Sequence, residues 1–294
     1  MTIAVQTARA RGSRRARAHS LGTIVLLAFL VYFLLPLFWV IVSATKSNQD
    51  LLSTFGLWFA PNFNLIDNLR DVFTHGDGVY LRWLANTAYY SVVSAVGAAL
   101  VATIGGYAFA KFRFRGREAL FALILGSIMV PSTALVIPTY LLLSKVHLTD
   151  TPLAVILPSL LSPFGLYLMR VYAEQSVPDE LLDAARVDGA GELRIFQRVA
   201  FRILVPGFVT VLLFQFVATW NNYFLPLVVL SDPVHYPVTV GLASWYAQAN
   251  AAGGASVLFS IVVTGALVAT VPIVVAFVFL QRYWRGGLTF GSLR

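Results

Sequence analysis

The chain has 294 residues, of which 58% are hydrophobic and only 12% carry a charge. Soluble domains contain about 25% charged and about 45–50% apolar residues, so this balance excludes an ordinary cytosolic enzyme and a disordered linker protein. The chain has no cysteine, which also excludes a disulfide-stapled secreted module, thiolate catalysis and zinc–thiolate sites. The composition therefore predicts a polytopic membrane protein.

Six uncharged apolar stretches follow one another along the chain, each close to or above the length of about 20 residues that crosses a bilayer as a helix. Each stretch is apolar around its whole circumference, which is typical of helices that face lipid and one another. The sequence therefore predicts an all-α protein with six transmembrane helices. The stretches are residues 21–44, 84–110, 119–143, 152–169, 203–230 and 256–280.

The distribution of basic residues predicts the orientation of these helices. If the N-terminus is cytoplasmic, the cytoplasmic segments hold 17 of the 21 Lys and Arg residues, as the positive-inside rule requires. We therefore expect both termini in the cytoplasm. The net charge of +8 is then explained by the basic residues of the cytoplasmic segments. No basic stripe interleaves with exposed aromatic residues, so nucleic-acid binding is not expected. The cytoplasmic segments are residues 1–20, 111–118, 170–202 and 281–294.

This orientation predicts three regions: a basic tail over 1–20, a membrane domain over 21–280 and a C-terminal tail over 281–294. The N-terminal arginines followed by an apolar run could also form a signal peptide, and Val42–Ala44 resembles a cleavage site. The apolar run is longer than the signal-peptide core of about 7–15 residues, which favours a retained first helix.

The six stretches contain no Asp, Glu, Lys, Arg or His. Gradient-driven transporters commonly keep ionisable residues in the membrane, and an intramembrane hydrolase needs a base beside its nucleophile. The chain also lacks a Gly-Lys pair, which excludes the phosphate-binding loop G-x-x-x-x-G-K-[ST]. No two histidines have metal-ligand spacing, so no metal site and no catalytic residue are predicted. The energy for any transport must then enter through another subunit.

The segment 170–202 is far longer than the usual connection of about 4–6 residues. Its Ser-Val-Pro-Asp sequence over 176–179 predicts a helix N-terminus capped by Ser176, and Gly189 predicts a left-handed cap at the end of that helix. A second short amphipathic helix is expected next, with Phe196 on its apolar side. The pattern leaves two possibilities open: the pair lies on the membrane surface, or it docks a cytosolic partner.

The residues over 183–196, DAARVDGAGELRIF, closely resemble the EAA loop of binding-protein-dependent ABC importer permeases. Three further stretches resemble carbohydrate permeases of the maltose-transporter inner-membrane type, and the likeness extends from about residue 36 to the C-terminus. These stretches are AFAKFRFRG over 108–116, WNNYFLPL over 220–227 and QRYWRGGLTFG over 281–291.

Three positions depart from the family pattern. Asp183 stands in place of Glu, Phe201 and Arg202 in place of Leu-Pro, and Asn222 in place of Asp. The first two departures lie in the coupling segment and could alter the fit of a partner, although we do not expect them to abolish it.

The resemblance implies a non-catalytic subunit with the type I importer permease fold, located in the cell membrane. The EAA-like loop would sit in a cleft of a cytosolic ABC ATPase dimer, which binds ATP and magnesium, so no cofactor is expected in this chain. The implied coupling residues are Asp183, Ala184, Ala185, Asp188, Gly189, Ala190 and Phe196. The tail would reach between two ATPase subunits through Gly287, Leu288, Thr289 and Gly291.

The resemblance also implies a second homologous permease that completes the pore, and an extracytoplasmic solute-binding protein that contacts the loop over 231–255. The uncharged spans suit a neutral, hydroxyl-rich solute, and the resemblance points to a sugar. Residues that could bind it, with core packing as the alternative for each, are Trp220, Asn221, Asn222, Tyr140 and Tyr167. Two other functions stay open: an ABC permease for another small solute such as a polyamine, and an ion-gradient-driven transporter.

Overall fold

The computed structural model describes residues 2–251 and 258–287, and every regular element in this part of the chain is a helix. The predicted all-α fold is confirmed. Short 3₁₀ turns occur at Ser132–Leu135 and Pro233–His235, and a π-helical turn occurs at Phe196–Ala200. The α-helices are α1 (Thr2–Ala44), α2 (Asn48–Ser53), α3 (Leu65–Lys111), α4 (Arg117–Ile128), α5 (Val136–Lys145), α6 (Pro152–Ser159), α7 (Pro163–Ser176), α8 (Asp179–Val187), α9 (Glu192–Ile195), α10 (Phe201–Trp220), α11 (Phe224–Val229), α12 (Val238–Ala251) and α13 (Leu258–Gly287).

Among the described residues, five helical segments are long and apolar enough to cross a membrane, and a bent helix pair brings the number to six. This agrees with the six predicted spans if the bent pair counts as one. The five segments are Gly22–Ala44, Leu65–Lys111, Pro152–Ser176, Glu192–Trp220 and Leu258–Gln281.

The third predicted span, residues 119–143, is interrupted. Helix α4 ends at Ile128, and α5 follows after Pro131 and a 3₁₀ turn, so the chain bends by 99° between the two halves. A proline has no N–H with which to continue the hydrogen bonds of α4, and it disfavours a helical conformation in the residue before it. The third apolar stretch is therefore a broken span or a re-entrant loop.

The predicted ends of the fifth span are wrong. The span stops at Trp220, and the short helix α11 is separate from it. At the other end, α9 continues through the π-helical turn into α10, so the second short helix predicted after Gly189 is the beginning of the fifth span. The segment over 231–255 was expected to be a loop, but helix α12 occupies residues Val238–Ala251.

The fourth span is broken between α6 and α7. Pro163 begins α7 and has no N–H to donate to the carbonyl of Ser159, its usual partner four residues earlier. The side chain of Gln215 on α10 donates to this carbonyl instead, over 2.9 Å. Ser162 caps α7 by accepting a hydrogen bond from the backbone N–H of Gly165. The break therefore keeps its backbone groups paired within the protein, as a lipid environment requires.

The described chain divides into two compact units, residues 2–72 with 249–251 and 258–267, and residues 73–248 with 268–287. The second unit contains a cluster of buried side chains from α3, α7, α8, α9 and α10, which we term the α3–α7–α10 core. In this unit α3 is also interrupted, because Gly76, Asp77 and Gly78 have positive φ angles. The members of the core are Ala99, Ala102, Tyr107, Met169, Ala173, Val177, Leu182, Ile195, Ala200, Leu204 and Val211.

Helices α3 and α7 pack most closely at Gly106. A Cβ atom at this position would lie 2.6 Å from the backbone nitrogen of Arg170 and 2.7 Å from the carbonyl carbon of Met169. At the neighbouring Gly105 the nearest atom would be the end of the Leu166 side chain, at 3.0 Å. A leucine methyl group can shift to make room for a Cβ atom, whereas the backbone of a packed helix cannot. Of these two positions, therefore, only Gly106 requires glycine.

We predict that Gly106→Ala destabilises the protein by about 1–3 kcal/mol, the usual cost of overpacking a core. Gly105→Ala is the matched control and should be close to neutral, because alanine favours the helix and Leu166 can shift. The measurement is the thermal unfolding midpoint of each purified variant in the same detergent. Equal midpoints for the two variants would contradict the packing described here.

Candidate functional site

The predicted helix after Pro178 is present as α8, but Ser176 does not cap it. Ser176 is the last residue of α7, and Pro178 occupies the cap position without a side-chain hydrogen bond. Asp179 and Glu180 lie in the first turn, where negative charge interacts favourably with the helix dipole. The start of α8 is fixed by the lysine described next, which lies far away in the sequence.

Lys111, the last residue of α3, ties three helices together. Its ammonium group donates to the carbonyl of Val177 over 2.6 Å and to the carboxylate of Asp179 over 2.7 Å. The lysine side chain is only 7% exposed. Its hydrogen bond and positive charge lower the pKa of Asp179 below the usual range. One cation thus joins the end of α3, the end of α7 and the first turn of α8.

The turn after α8 has the conformation predicted from Gly189. This residue has a φ angle of +79°, and two hydrogen bonds close the turn, from Ala190 N to the Ala185 carbonyl and from Gly189 N to the Arg186 carbonyl, both over 3.0 Å. This pair of bonds is the Schellman motif, which satisfies the last carbonyls of a helix. We term α8, the turn and α9 the α8–α9 hairpin.

Arg186 braces the α8–α9 hairpin. Its guanidinium donates to Asp183 over 2.7 Å and to Glu192 over 2.8 Å, so it links α8 to α9. These ion pairs are largely exposed and contribute little to stability in water, but they hold the two helices at a fixed distance. The carboxylate of Asp183 is therefore already engaged within its own helix.

The predicted coupling residues fall into two groups. One group is exposed to solvent: Asp183, Ala184, Asp188 and Gly189. The other group, Ala185, Ala190 and Phe196, packs against the α3–α7–α10 core.

Two apolar residues that the sequence reasoning did not select lie on either side of the turn. Val187 is 88% exposed and Leu193 is 71% exposed. Leu193 belongs to the apolar pattern of the short helix after Gly189, and Val187 has no sequence signal beyond its position two residues before Gly189. The exposed surface of the hairpin therefore combines apolar side chains, small residues and carboxylates.

The α8–α9 hairpin is packed onto the membrane helices rather than suspended from them. Leu182 of α8 and Ile195 of α9 are completely or almost completely buried in the α3–α7–α10 core. The ring of Phe196 lies against the ring of Tyr107 on α3, with centroids 5.1 Å apart. Since α9 continues into α10, a force applied to the hairpin acts directly on two membrane helices.

The residues proposed for sugar binding have different surroundings. Trp220 is buried, and its indole donates to the Ala269 carbonyl over 3.1 Å. Asn221 is exposed and donates to the Val217 carbonyl over 2.9 Å, while the backbone carbonyl of Asn222 accepts from Thr239. These three adjoin one another where α10 ends.

Two other proposed residues lie on other helices. Tyr140 on α5 is half-exposed, and Tyr167 on α7 stacks on Phe121 of α4. Of the proposed tail contacts, Gly287 ends α13, and Leu288, Thr289 and Gly291 lie outside the described residues.

A second polar assembly fixes the segment over 231–238, which leads into α12. Four side chains of α3 bond to its backbone: Trp83, Asn86, Thr87 and Tyr90. The carboxylate of Asp150 accepts from the backbone N–H groups of Ser231 and Asp232 over 2.9 and 3.0 Å. These hydrogen bonds lower the pKa of Asp150, so the carboxylate stays charged near neutral pH.

The known proteins that this chain resembles are membrane components of transport systems. A family model described as "Binding-protein-dependent transport system inner membrane component" matches residues 95–285. The arabinooligosaccharides transport system permease protein AraQ of Halalkalibacterium halodurans is 33% identical, over 91% of this chain and 93% of the relative. The lactose transport system permease protein LacG of Rhizobium radiobacter is 30% identical, over 92% of this chain and 93% of the relative.

A solved structure has a similar fold. It belongs to a bacterial ABC transporter involved in the import of the acidic polysaccharide alginate, and it superposes with a TM-score of 0.77. The match covers 92% of this chain and 98% of that chain, at 24% sequence identity. At this identity the likeness concerns the fold.

We predict that Lys111→Met loosens the start of α8, because the Val177 carbonyl loses a charged donor worth about 1–3 kcal/mol. Amide hydrogen exchange over 178–183 should then rise by about tenfold or more, with little change in α13. Lys145→Met is the matched control, since Lys145 is an exposed lysine at the end of α5. Unchanged exchange over 178–183 in Lys111→Met would exclude the tie described above.

Proposed function

Because the chain belongs to the family of binding-protein-dependent transport system inner membrane components, we propose that it forms part of the membrane pathway of an ATP-driven sugar importer. It is a multi-pass membrane protein and a non-catalytic transport subunit. Members of this family work with an ATPase and a solute-binding protein. The proposal below concerns which surfaces of this chain serve those partners, and for which solute.

The observation that carries the proposal is the α8–α9 hairpin. Its exposed end combines Val187 and Leu193 with a rigid glycine turn, while its base is buried against the membrane helices. An exposed apolar tip on a fixed support fits a cleft in a partner protein, since burial of that tip provides the binding free energy. The hairpin docks in the cytosolic ATPase, and it transmits the closure of the ATP-loaded dimer to α3 and α10.

The residues of the hairpin have separate tasks in this mechanism. Asp183, Ala184, Asp188 and Gly189 contact the ATPase, whereas Ala185, Ala190 and Phe196 transmit its movement through the core. ATP and magnesium bind to the ATPase dimer and not to this chain. The C-terminal tail from Gly287 onward makes a second contact with the ATPase, through Leu288, Thr289 and Gly291.

A sugar is the solute favoured by the relatives and by the chemistry of the spans. The relatives cited above are named for arabinooligosaccharides and lactose, and the apolar stretch over 203–230 contains no charged residue. Asn221 and the half-exposed rings of Tyr140 and Tyr167 offer hydrogen bonds and stacking surfaces to hydroxyl-rich rings. The buried Trp220, two residues before Asn222, stabilises this end of α10 through its hydrogen bond to the Ala269 carbonyl.

Two further subunits complete the proposed transporter. A second homologous permease lines the other side of the pathway. The extracytoplasmic binding protein delivers the sugar near α12. The segment that leads into α12 is held in place by Asp150 and by four side chains of α3. The rigid segment over 231–238 suits this task, because a preformed surface binds with a smaller loss of conformational entropy.

Mass spectrometry of the complex purified gently from native membranes tests this assembly. We expect an ABC ATPase, a second permease and a binding protein, and the ligand extracted from the binding protein should be a neutral saccharide. A polyamine or another ligand that is not a saccharide in the binding protein would refute the sugar and keep the importer. Purification of the chain alone, with uptake that persists without ATP, would refute the coupling role.

The glycine turn provides a sharper test of coupling. We predict that Gly189→Val impairs ATPase docking and uptake, because a β-branched residue at a positive φ angle costs about 1–3 kcal/mol. No atom lies within 4 Å of the added Cβ, so the strain is confined to the turn and membrane insertion should be normal.

Gly191→Val is the matched control for this substitution. Gly191 lies two residues away, also has open space around it, and has a φ angle of −71° that valine adopts readily. Both variants are compared for expression level, for ATPase recovered with the complex and for ATP-dependent uptake. Normal uptake by Gly189→Val at normal expression would be incompatible with a coupling role for the turn.

A further inference from the structure

The segment that follows the first span presents an unusual concentration of exposed apolar side chains. Six large apolar side chains are exposed over residues 52–66, and four of them are aromatic. Their exposed fractions are 64% for Leu52, 73% for Phe55, 65% for Trp58, 45% for Phe59, 64% for Phe63 and 77% for Ile66. Single exposed apolar residues are common, but a contiguous group in one short segment indicates a binding surface.

This segment is folded around a buried lysine. Lys46 is 1% exposed, and its ammonium group donates to the Thr54 hydroxyl over 2.9 Å and to the Phe55 carbonyl over 2.7 Å. These bonds connect the residues directly after the short helix α2 to Lys46, two residues after the end of α1. The aromatic side chains are therefore exposed by a defined structure.

A second set of bonds closes the other end of the segment. The amide of Asn68 donates to the carbonyls of Ala44 and Lys46 over 2.8 and 2.9 Å. The backbone N–H of Asn64 donates to the Thr45 carbonyl over 2.8 Å. Residues 47–64 thus form a closed loop whose two ends meet at the last turn of the first span.

The part of this segment that carries the exposed apolar side chains, residues 51–66, is uncharged. No Asp, Glu, Lys, Arg or His occurs over 51–66. Of the two charged residues just before it, Lys46 is buried, and Asp50 accepts a hydrogen bond from the Ser47 hydroxyl over 2.7 Å. A surface that met only water would normally carry charges, and protein interfaces normally have a polar rim.

The loop is continuous with the exposed apolar surface of the first predicted span. It begins directly after the span Gly22–Ala44, along which large apolar side chains such as Leu26, Tyr32 and Phe33 are exposed. A closed loop at the end of such a span lies at the depth where hydrocarbon gives way to lipid headgroups. Tryptophan is enriched there, because its ring is apolar and its N–H can reach water.

We propose that the loop over 51–66 is a membrane anchor, in which Phe55, Trp58, Phe59 and Phe63 insert into the headgroup region of the phospholipid bilayer. The occupant of this surface is lipid and not a protein partner. The buried Lys46 acts as a positioning residue, because its two hydrogen bonds orient the aromatic side chains. The anchor sets the depth of the first span in the membrane, and it depends neither on the solute nor on the ATPase.

The absence of native cysteines allows a direct test on the full chain. Single variants Phe59→Cys and Phe63→Cys are each labelled with a nitroxide in the transporter complex, reconstituted in phosphatidylcholine–phosphatidylglycerol nanodiscs. Collision rates of the label are measured with oxygen, which concentrates in the bilayer, and with nickel ethylenediaminediacetate, which stays in water. Gln49→Cys is the control, since Gln49 is an exposed polar residue of the same region.

At positions 59 and 63 we expect a higher collision rate with oxygen than with the nickel complex, and the reverse at position 49. Labels at 59 and 63 that collide mainly with the nickel complex would overturn the proposal, because the loop would then lie in water. Labels shielded from both reagents would also overturn it and assign the surface to a protein partner. If one phenylalanine variant fails to assemble, the other provides the same test, and each variant is first checked for an unchanged thermal midpoint.

Discussion

A backbone carbonyl that loses its helical donor inside a membrane has no water to replace it, so the protein must supply another donor. Among the described residues, a donor from another helix pairs such a carbonyl at two helix ends. Gln215 donates to the Ser159 carbonyl, which has no helical donor because residue 163 is a proline. Lys111 donates to the Val177 carbonyl at the end of α7. Each donor comes from a different helix than the acceptor, and so each break also becomes a fixed contact between helices.

The two surfaces that we propose as functional are also held by hydrogen bonds to their backbone, although they lie outside the spans. The α8–α9 hairpin closes its own carbonyls through a Schellman turn, and Lys111 holds its base. The segment before α12 has its carbonyls bound by Trp83, Asn86 and Tyr90. A surface built in this way moves as one body with the helices that support it. Such movement is what transmission of force between an ATPase and a membrane pathway requires.

Several of these breaks lie where the proposed transport cycle needs movement. The third span bends by 99° at Pro131, the fourth is divided before Pro163, and a π-helical turn lies between the hairpin and α10. A π-helical turn changes the register of a helix without ending it, and it frequently occurs at functional sites. The helix α9, which we propose for coupling, and the fifth span thus belong to one helical segment, Glu192–Trp220, which ends directly before Asn221.

Local chemistry made much of this protein predictable. Long apolar stretches indicate membrane spans, and Gly189 ends a helix because a residue without Cβ tolerates a positive φ angle. The coupling residues were likewise predicted from one contiguous motif. Only the tertiary structure decided how sharply the third span bends, that α9 belongs to the fifth span and that Val187 is exposed. It also assigned Lys111 and Gln215 their carbonyl partners, which lie 66 and 56 residues away in the sequence. Sequence periodicity reports what a residue does within its own helix, whereas such pairings depend on which helices pack together.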